Sequence, residues 1–216
     1  MKDILYNTLY INTAGRKIEF AYNKKGDFII LKQLDEGKNA DDLVYEIKRE
    51  FDEQGFCFQD IDYTALLNGP GSYTGLRIGS AIAKAICFAT GAELIEINTL
   101  DMIAEKHFMN GGKGKVSALV FSGMKTGEFF YAEYEDGERI SGYGSALPES
   151  FTGGLFLLNE EKSFEFPGGA ETINLSGGTN INAMHLIALK KISKGETSDY
   201  MTSEPFYMKQ FPLKSS

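Results

Sequence analysis

The sequence predicts an α/β protein whose two halves are built alike. Three observations predict it. Short strand patterns alternate with helix patterns through the first half. The glycine-rich text "NGGKGK" then interrupts the chain at residues 110–115. The second half opens as the first does, with strand, turn, strand, turn, strand. No sequence repeat accompanies that echo, so the duplication rests on pattern alone. The 216 residues suit one large domain or two small ones, and the break divides them into 1–109 and 110–216.

The elements follow in order. "TLYINT" (8–13), "KIEFAYN" (17–23) and "DFIILKQ" (27–33) read as strands, joined by "AGR" and "KKG" as hairpin turns. A helix is expected over 40–54, with Asn39 as its N-cap, Asp41 and Asp42 in its first turn and Gly55 closing it. Leu43, Val44, Ile47 and Phe51 form its expected buried stripe. "YTALLNG" (63–69) is the fourth strand, 75–90 the second helix and "ELIEIN" (93–98) the fifth strand. Beyond the break, "KVSALVFS", "EFFYAEYED", "ERISGYGSA" and "GLFLLN" read as strands. "NINAMHLIALKKISKG" (180–195) reads as a helix closed by Gly195.

Composition narrows the function classes. The apolar share is 43%, the charged share 24%, and the formal net charge −8. Such a surface repels phosphate backbones, and no basic cluster carries interleaved aromatics, so direct binding of nucleic acid by this chain alone is not expected. Cys57 and Cys87 form no CxxC pair, which fits a reducing cytosol. The apolar run around Cys87 holds Lys84 and is too short to span a bilayer. The first fifteen residues lack a signal-peptide layout. The expectation is a cytoplasmic protein with no membrane contact.

The stretch "LLNGPGSYTGLRIG" (66–79) leads from a strand into a helix through glycines. Gly69, Gly71 and Gly75 give GxGxxxG, one residue longer than the dinucleotide fingerprint. No Gly-Lys-Ser/Thr closes the loop, so the P-loop pattern fails as well. Spacing alone favours a tight strand-to-helix turn needing positive φ over an anion cradle at a helix N-terminus. In the helix that follows, Arg77, Ser80 and Lys84 fall on one narrow stripe, and apolar or small residues fill most of the rest. A helix apolar over so much of its surface lies inside the fold or offers a second face to a partner.

The run "GPGSYTGLRIGSAIAKAICFATG" followed by "ELIEINTLDMIA" resembles the TsaB (YeaZ) family, the bacterial glycoprotease-like proteins of tRNA threonylcarbamoyladenosine synthesis. The opening strands, "FFYAEY" and "EPFYMKQ" extend the resemblance over nearly the whole chain. It implies an actin-like, ribonuclease-H-like fold of two related lobes, with mixed sheets flanked by helices. It also implies a partner-binding subunit rather than a lone enzyme. The partners would be a catalytic TsaD-type paralogue and a TsaE-type ATPase, with tRNA engaged only through the complex.

The catalytic sister family carries a metal pattern like "VNHLEGH". The matching segment here is "INTLDMI" (97–103), and the two histidine positions fall on Thr99 and Ile103. A catalytic metal needs about three protein ligands, so the metallopeptidase alternative loses its metal. His107 and His185, the chain's two histidines, offer no i,i+4 pair. Family members usually keep Asp-Thr-Ser after the first strand, where this chain has Asn12-Thr13-Ala14. Asparagine lacks the charge that a hard cation prefers, which weakens the small-molecule-kinase alternative. The expectations are therefore no catalytic residue, no metal and no stably bound cofactor. ATP or ADP at a partner interface stays open.

For the loop, Gly69, Pro70, Gly71, Ser72, Tyr73, Thr74, Gly75 and Arg77 are the residues from which an anion contact would come. Ser72 or Thr74 is expected to cap the helix. For the partner contact the expected residues are Tyr45, Ile78, Gly79, Ile82, Ala83 and Ile86, with Ile82 and Ile86 as the outward pair. Half of a four-helix bundle would form there, completed by the partner or by a second copy as a homodimer.

Overall fold

The computed structural model describes residues 6–34, 42–123, 127–160 and 162–208. Two sheets face each other across a shared helical layer. The first sheet comprises β1 (Asn7–Asn12), β2 (Glu19–Lys24), β3 (Asp27–Gln33), β4 (Tyr63–Gly69) and β5 (Glu93–Asn98), in the order β3-β2-β1-β4-β5. β1 runs antiparallel to β2 and parallel to β4, and β4 runs parallel to β5. Helix α1 (Leu43–Gln54) links β3 to β4, α2 (Tyr73–Thr90) links β4 to β5, and α3 (Thr99–Met109) follows β5.

The second sheet repeats this path. It comprises β6 (Lys115–Phe121), β7 (Phe129–Glu135), β8 (Glu138–Arg139), β9 (Gly144–Ala146), β10 (Leu155–Leu158) and β11 (Glu171–Asn174). Its order is β11-β10-β6-β7-β8, with β9 also paired to β7. β6 is antiparallel to β7 and parallel to β10, which is parallel to β11. Helix α4 (Ile181–Lys194) closes this lobe as α3 closes the first. The echo in the sequence is thus a duplicated topology, an actin-like pair of ribonuclease-H-like lobes.

The period-2 pattern of the strands sorts the core. Tyr10, Ala65, Leu67, Ile95 and Ile97 of the first sheet face inward, as do Val116, Ala118, Val120 and Ala132 of the second. α3 and α4 fill the space between, supplying Leu100, Met102, Ile103, Ile181, Met184 and Ala188. On the outer face of the first sheet, Leu9, Ile11, Phe20 and Leu66 meet α1 and α2 through Leu43, Ile47, Phe51, Ile82 and Cys87. On the outer face of the second, Leu119, Phe129, Phe156 and Leu158 meet Phe151, Phe164 and Phe166.

Several expectations change. The expected N-cap Asn39 and first-turn Asp41 lie outside the described residues. Gly55 does close α1, with φ +68°. Val44 is not buried but 53% exposed. α2 begins two residues earlier than expected. α3 and β11 are elements that the sequence pattern does not mark. "TLDMIAEKHFM" has apolar residues scattered around the helix, so its pattern has no single stripe. It is buried on most sides, which produces that pattern. "ERISGYGSA" is two strands, because the backbone turns off β7 after Ile140, whose amide still donates to Glu133 O, and carries Tyr143 towards α3. There Tyr143 Oη donates to Asp101 Oδ2 at 2.8 Å.

The last described segment crosses back to the first lobe. Ser198 N donates to Leu94 O at 2.8 Å, pairing with the outer edge of β5. Phe206 N donates to Asn68 O at 2.9 Å, and Ser203 Oγ to Glu96 at 2.6 Å. The second half of the chain therefore contributes cover to the first sheet.

Candidate functional site

Three surfaces carry the candidate residues: the loop before α2, the outward side of α2, and the cleft where the lobes meet. The loop is built against the turn that follows β1. Gly69 ends β4 with φ +112°, a left-handed conformation that favours glycine. The Gly69–Pro70 peptide is cis. Gly71 and Gly75 were expected to need unusual angles too, but neither has positive φ. They are required for closeness. A Cβ on Gly71 would lie 2.3 Å from Ala14 O, and one on Gly75 2.0 Å from Thr13 O. Gly79 repeats this one turn on, at 2.2 Å from Thr13 Oγ1.

The hydrogen bonds hold the same contact. Ser72 N donates to Ala14 O at 2.7 Å, and Thr13 Oγ1 donates to Gly75 O at 2.7 Å. Ser72, not Thr74, is the cap, its Oγ accepting from Gly75 N at 3.2 Å. Leu76 N is bound to Ser72 O at 2.8 Å. Three amides of the segment are thus engaged inside the chain, which makes the loop a packed joint between β1, β4 and α2.

The outward side of α2 differs from the expected one. Gly79, Ile82 and Ala83 are buried against the sheet, Ile82 at 8% exposure. Ile78 and Ile86 are half-buried. The exposed residues are Tyr73, Thr74, Arg77, Ala81, Ala85, Phe88 and Ala89, with Phe88 at 76%. The rotation has a physical cause. Two of the three stripe residues are turned from water: Ser80 is buried, and Lys84 Nζ donates to Ser203 O at 2.6 Å in the returning segment, while Arg77 alone of the three is exposed. The small residues are left outward. Ala81, Ala85 and Ala89 form an i, i+4, i+8 ridge with Phe88 beside it. On α1, Tyr45 is 67% exposed, and Val44 is exposed next to it.

The cleft between the lobes has a volume of about 370 Å³. Asn12, Gly71 and Ser72 line it from one side, Asn159 and Asn180 from the other, and Thr99 and Ile103 from α3. Thr99 Oγ1 and Asn159 Oδ1 are buried there without a hydrogen-bond partner in the structure. Among the described residues, no three His, Cys, Asp or Glu side chains gather to hold a metal. His107 packs on Phe108 and is covered by Gly112, while His185 Nδ1 meets Tyr10 Oη at 2.7 Å beside Phe28. Burial holds both imidazoles below their ordinary pKa.

Arginine and aromatic side chains do meet on the surface, each arginine over a tyrosine four residues away that in turn packs on a ring far off in sequence. Arg77 lies over Tyr73, which packs on Tyr207. Arg139 lies over Tyr143, which packs on Phe206. Arg139 Nε is 3.8 Å from Asp101 Oδ1, so one of the two cations is offset. Tyr134 Oη donates to the same carboxylate at 2.7 Å. The sequence could not show these contacts because none of the pairs across lobes is local. Nor could it show Glu19 and Lys106, buried near Asn12, since each reads as a surface charge.

Known proteins fit this geometry. The family model for TsaD, tRNA N6-adenosine threonylcarbamoyltransferase, matches residues 39–153, a little over half of the chain. The TsaB protein of tRNA threonylcarbamoyladenosine biosynthesis from Buchnera aphidicola subsp. Schizaphis graminum is 27% identical over 134 residues, covering 62% of this chain and 61% of that protein. The Escherichia coli K12 protein of the same name is 34% identical over 84 residues, 39% of this chain and 36% of that one. The alignments therefore span less than two thirds of these relatives' length. A Pseudomonas aeruginosa crystal structure, described as an uncharacterized protein with similarity to peptidase YeaZ, superposes with a TM-score of 0.77 at 18% identity. That superposition covers 95% of this chain and all of that one. At such identity the likeness establishes the fold.

Proposed function

The chain belongs to the family named for the threonylcarbamoyltransferase TsaD and, within it, to TsaB (YeaZ), and on that premise we propose that it is a non-catalytic subunit in tRNA threonylcarbamoyladenosine formation. In this reading it docks on a catalytic TsaD-type paralogue, with a TsaE-type ATPase joining, and meets tRNA only within that assembly. It works away from any membrane, in the cytoplasm. No described helix is long and apolar enough to cross one.

One observation carries the reading: the exposed alanine ridge of α2 with Phe88 on its flank. An i±4 row of small side chains lets a second helix approach closely and interdigitate. The exposed ring beside it would fill a partner's pocket as an anchor. Val44 and Tyr45 on α1 extend the apolar surface. A partner's two helices laid on α1 and α2 would complete a four-helix bundle. In the partner's absence a second copy would cover the same face as an isologous dimer.

Features of the cleft support the non-catalytic part. Thr99 and Ile103 stand on its wall where the sister family's metal pattern carries histidines. Asn12 stands where the fold's acidic residue would be. The test is co-expression with the organism's TsaD-type paralogue, followed by size-exclusion chromatography. Co-elution that survives in wild type and is lost with Ala85→Glu supports the reading. A folded Ala85→Glu and a folded Phe88→Glu that both co-elute at wild-type affinity put the interface elsewhere. Peptide cleavage or sugar phosphorylation by the purified chain alone would replace the reading with an enzyme.

A further inference from the structure

Four polar side chains almost free of solvent meet where the lobes join. Asn12 ends β1 and Glu19 begins β2. Lys106 lies in the last turn of α3, and Asn180 immediately precedes α4. Glu19 is 1% exposed and Lys106 7%. Asn12 Nδ2 donates to Glu19 Oε2 at 2.8 Å, and Asn180 Nδ2 donates to the same oxygen at 3.0 Å. The main-chain amide of Asn180 faces both carboxylate oxygens, at 3.3 and 3.4 Å. Lys106 Nζ donates to Asn180 Oδ1 at 2.9 Å.

Each member has a defined task. The amino end of a fourteen-residue helix favours negative charge, from its dipole and its unpaired amides. That end of α4 is occupied by a carboxylate from the other lobe. Asn180 makes no side-chain cap to its own helix, because its amide group is shared between Glu19 and Lys106. Lys106 brings the opposite charge. Burial lowers its pKa, and the nearby Glu19 carboxylate works against that shift. A buried charge without its partner is strongly unfavourable, so the set holds together only with both lobes in place. Two further bonds cross the joint, Lys17 Nζ to Ser176 O at 2.6 Å and Tyr10 Oη to His185 Nδ1 at 2.7 Å. Neither places an anion at the helix end.

We infer that Glu19 is a resident anion, filling the seat at the amino end of α4, shutting it to external phosphate or carboxylate, and fixing the lobes at one angle. The cleft above it is then a set joint and not a hinge that closes on a ligand. This holds for the chain itself, whatever its partner.

Emptying the seat tests it. In Glu19→Ala the helix end keeps its amide and loses the carboxylate. Melting is followed for wild type and variant in buffer, in sodium formate, in formamide and in sodium chloride of matched ionic strength. The variant is expected to melt at least about 5 °C lower. Formate should recover a good part of that loss, while formamide and chloride should not, and wild type should show no such selectivity. Backbone hydrogen exchange over residues 180–184 and in β2 should accelerate at least tenfold in the variant, with α1 unchanged. Unchanged melting and exchange overturn the inference, as does equal recovery by formate and formamide. Should Glu19→Ala fail to fold, Glu19→Gln keeps the shape and one acceptor without the charge. Wild-type exchange at the first turn of α4 in Glu19→Gln would then overturn it.

Discussion

The two lobes share a strand path and differ in their roofs. The first sheet is roofed by α1 and α2. In the second, the link from β9 to β10 contains one 3-10 turn, Pro148–Ser150, and the described link from β10 to β11 brings Phe164 and Phe166. Rings take the place of helices: Phe129 lies 4.9 to 6.1 Å, centroid to centroid, from Phe121, Phe151, Phe164 and Phe166. Both roofs exclude water from a sheet. A ring roof stops at the ring, whereas a helix roof has an outer side that can be written independently of its inner one. The first lobe can therefore take a partner without disturbing its core.

The comparison predicts a large separation within α2 itself. Ile82→Glu buries an unpaired charge against the first sheet and should cost about 5 kcal/mol, enough to unfold a domain of ordinary stability. Ala85→Glu, one turn on and exposed, should shift stability by no more than about 0.5 kcal/mol while abolishing co-elution with the paralogue. Chemical denaturation of both variants beside chromatography checks the pair; a stable Ile82→Glu would mean that α2 is turned the other way. In the second lobe, Phe129→Ala should cost about 3–5 kcal/mol. Under the proposed docking on α1 and α2, whatever folds should still bind the partner. Binding lost from a folded Phe129→Ala would join the two roofs in one function.

Smaller effects sharpen the picture at the loop. Gly75→Ala puts a methyl group 2.0 Å from Thr13 O, so the backbone must shift, at about 1–3 kcal/mol. Ser72→Ala removes only the cap and should cost about 1 kcal/mol. Equal denaturation midpoints for these two would contradict the packed-joint account. The smallest effect is one of pH. Burial depresses the folded-state pKa of His107 and His185, so the unfolded chain takes up the proton first as pH falls. Their contribution is complete above about pH 6.5 and declines below it. Melting at pH 7.5 and 5.5 should show the loss, and His185→Gln should reduce it.

Much of the fold was legible where a segment meets one environment on each side. β1, β2, β4 and β5 alternate between two cores, and their boundaries follow from period 2 and from glycine turns. α3 was illegible because it is enclosed between two sheets, which removes the polar face that marks a helix. The rotation of α2 was illegible for a different reason. Its polar stripe looked like a solvent face, but Ser203, more than a hundred residues later, supplies the partner for Lys84. The loop glycines were legible as necessary, while the reason for two of them lies in Thr13 and Ala14, whose closeness only the fold creates.

The returning segment carries a consequence for how the chain is made. β5 leaves the ribosome long before Ser198 does, roughly a hundred residues earlier, or about 5–20 seconds at ordinary synthesis rates. Throughout that interval the outer edge of β5 is an unpaired strand edge, open to pairing with another nascent chain. The first lobe is therefore finished last, and a ribosome stalled anywhere in the second half displays a lobe with an adhesive side.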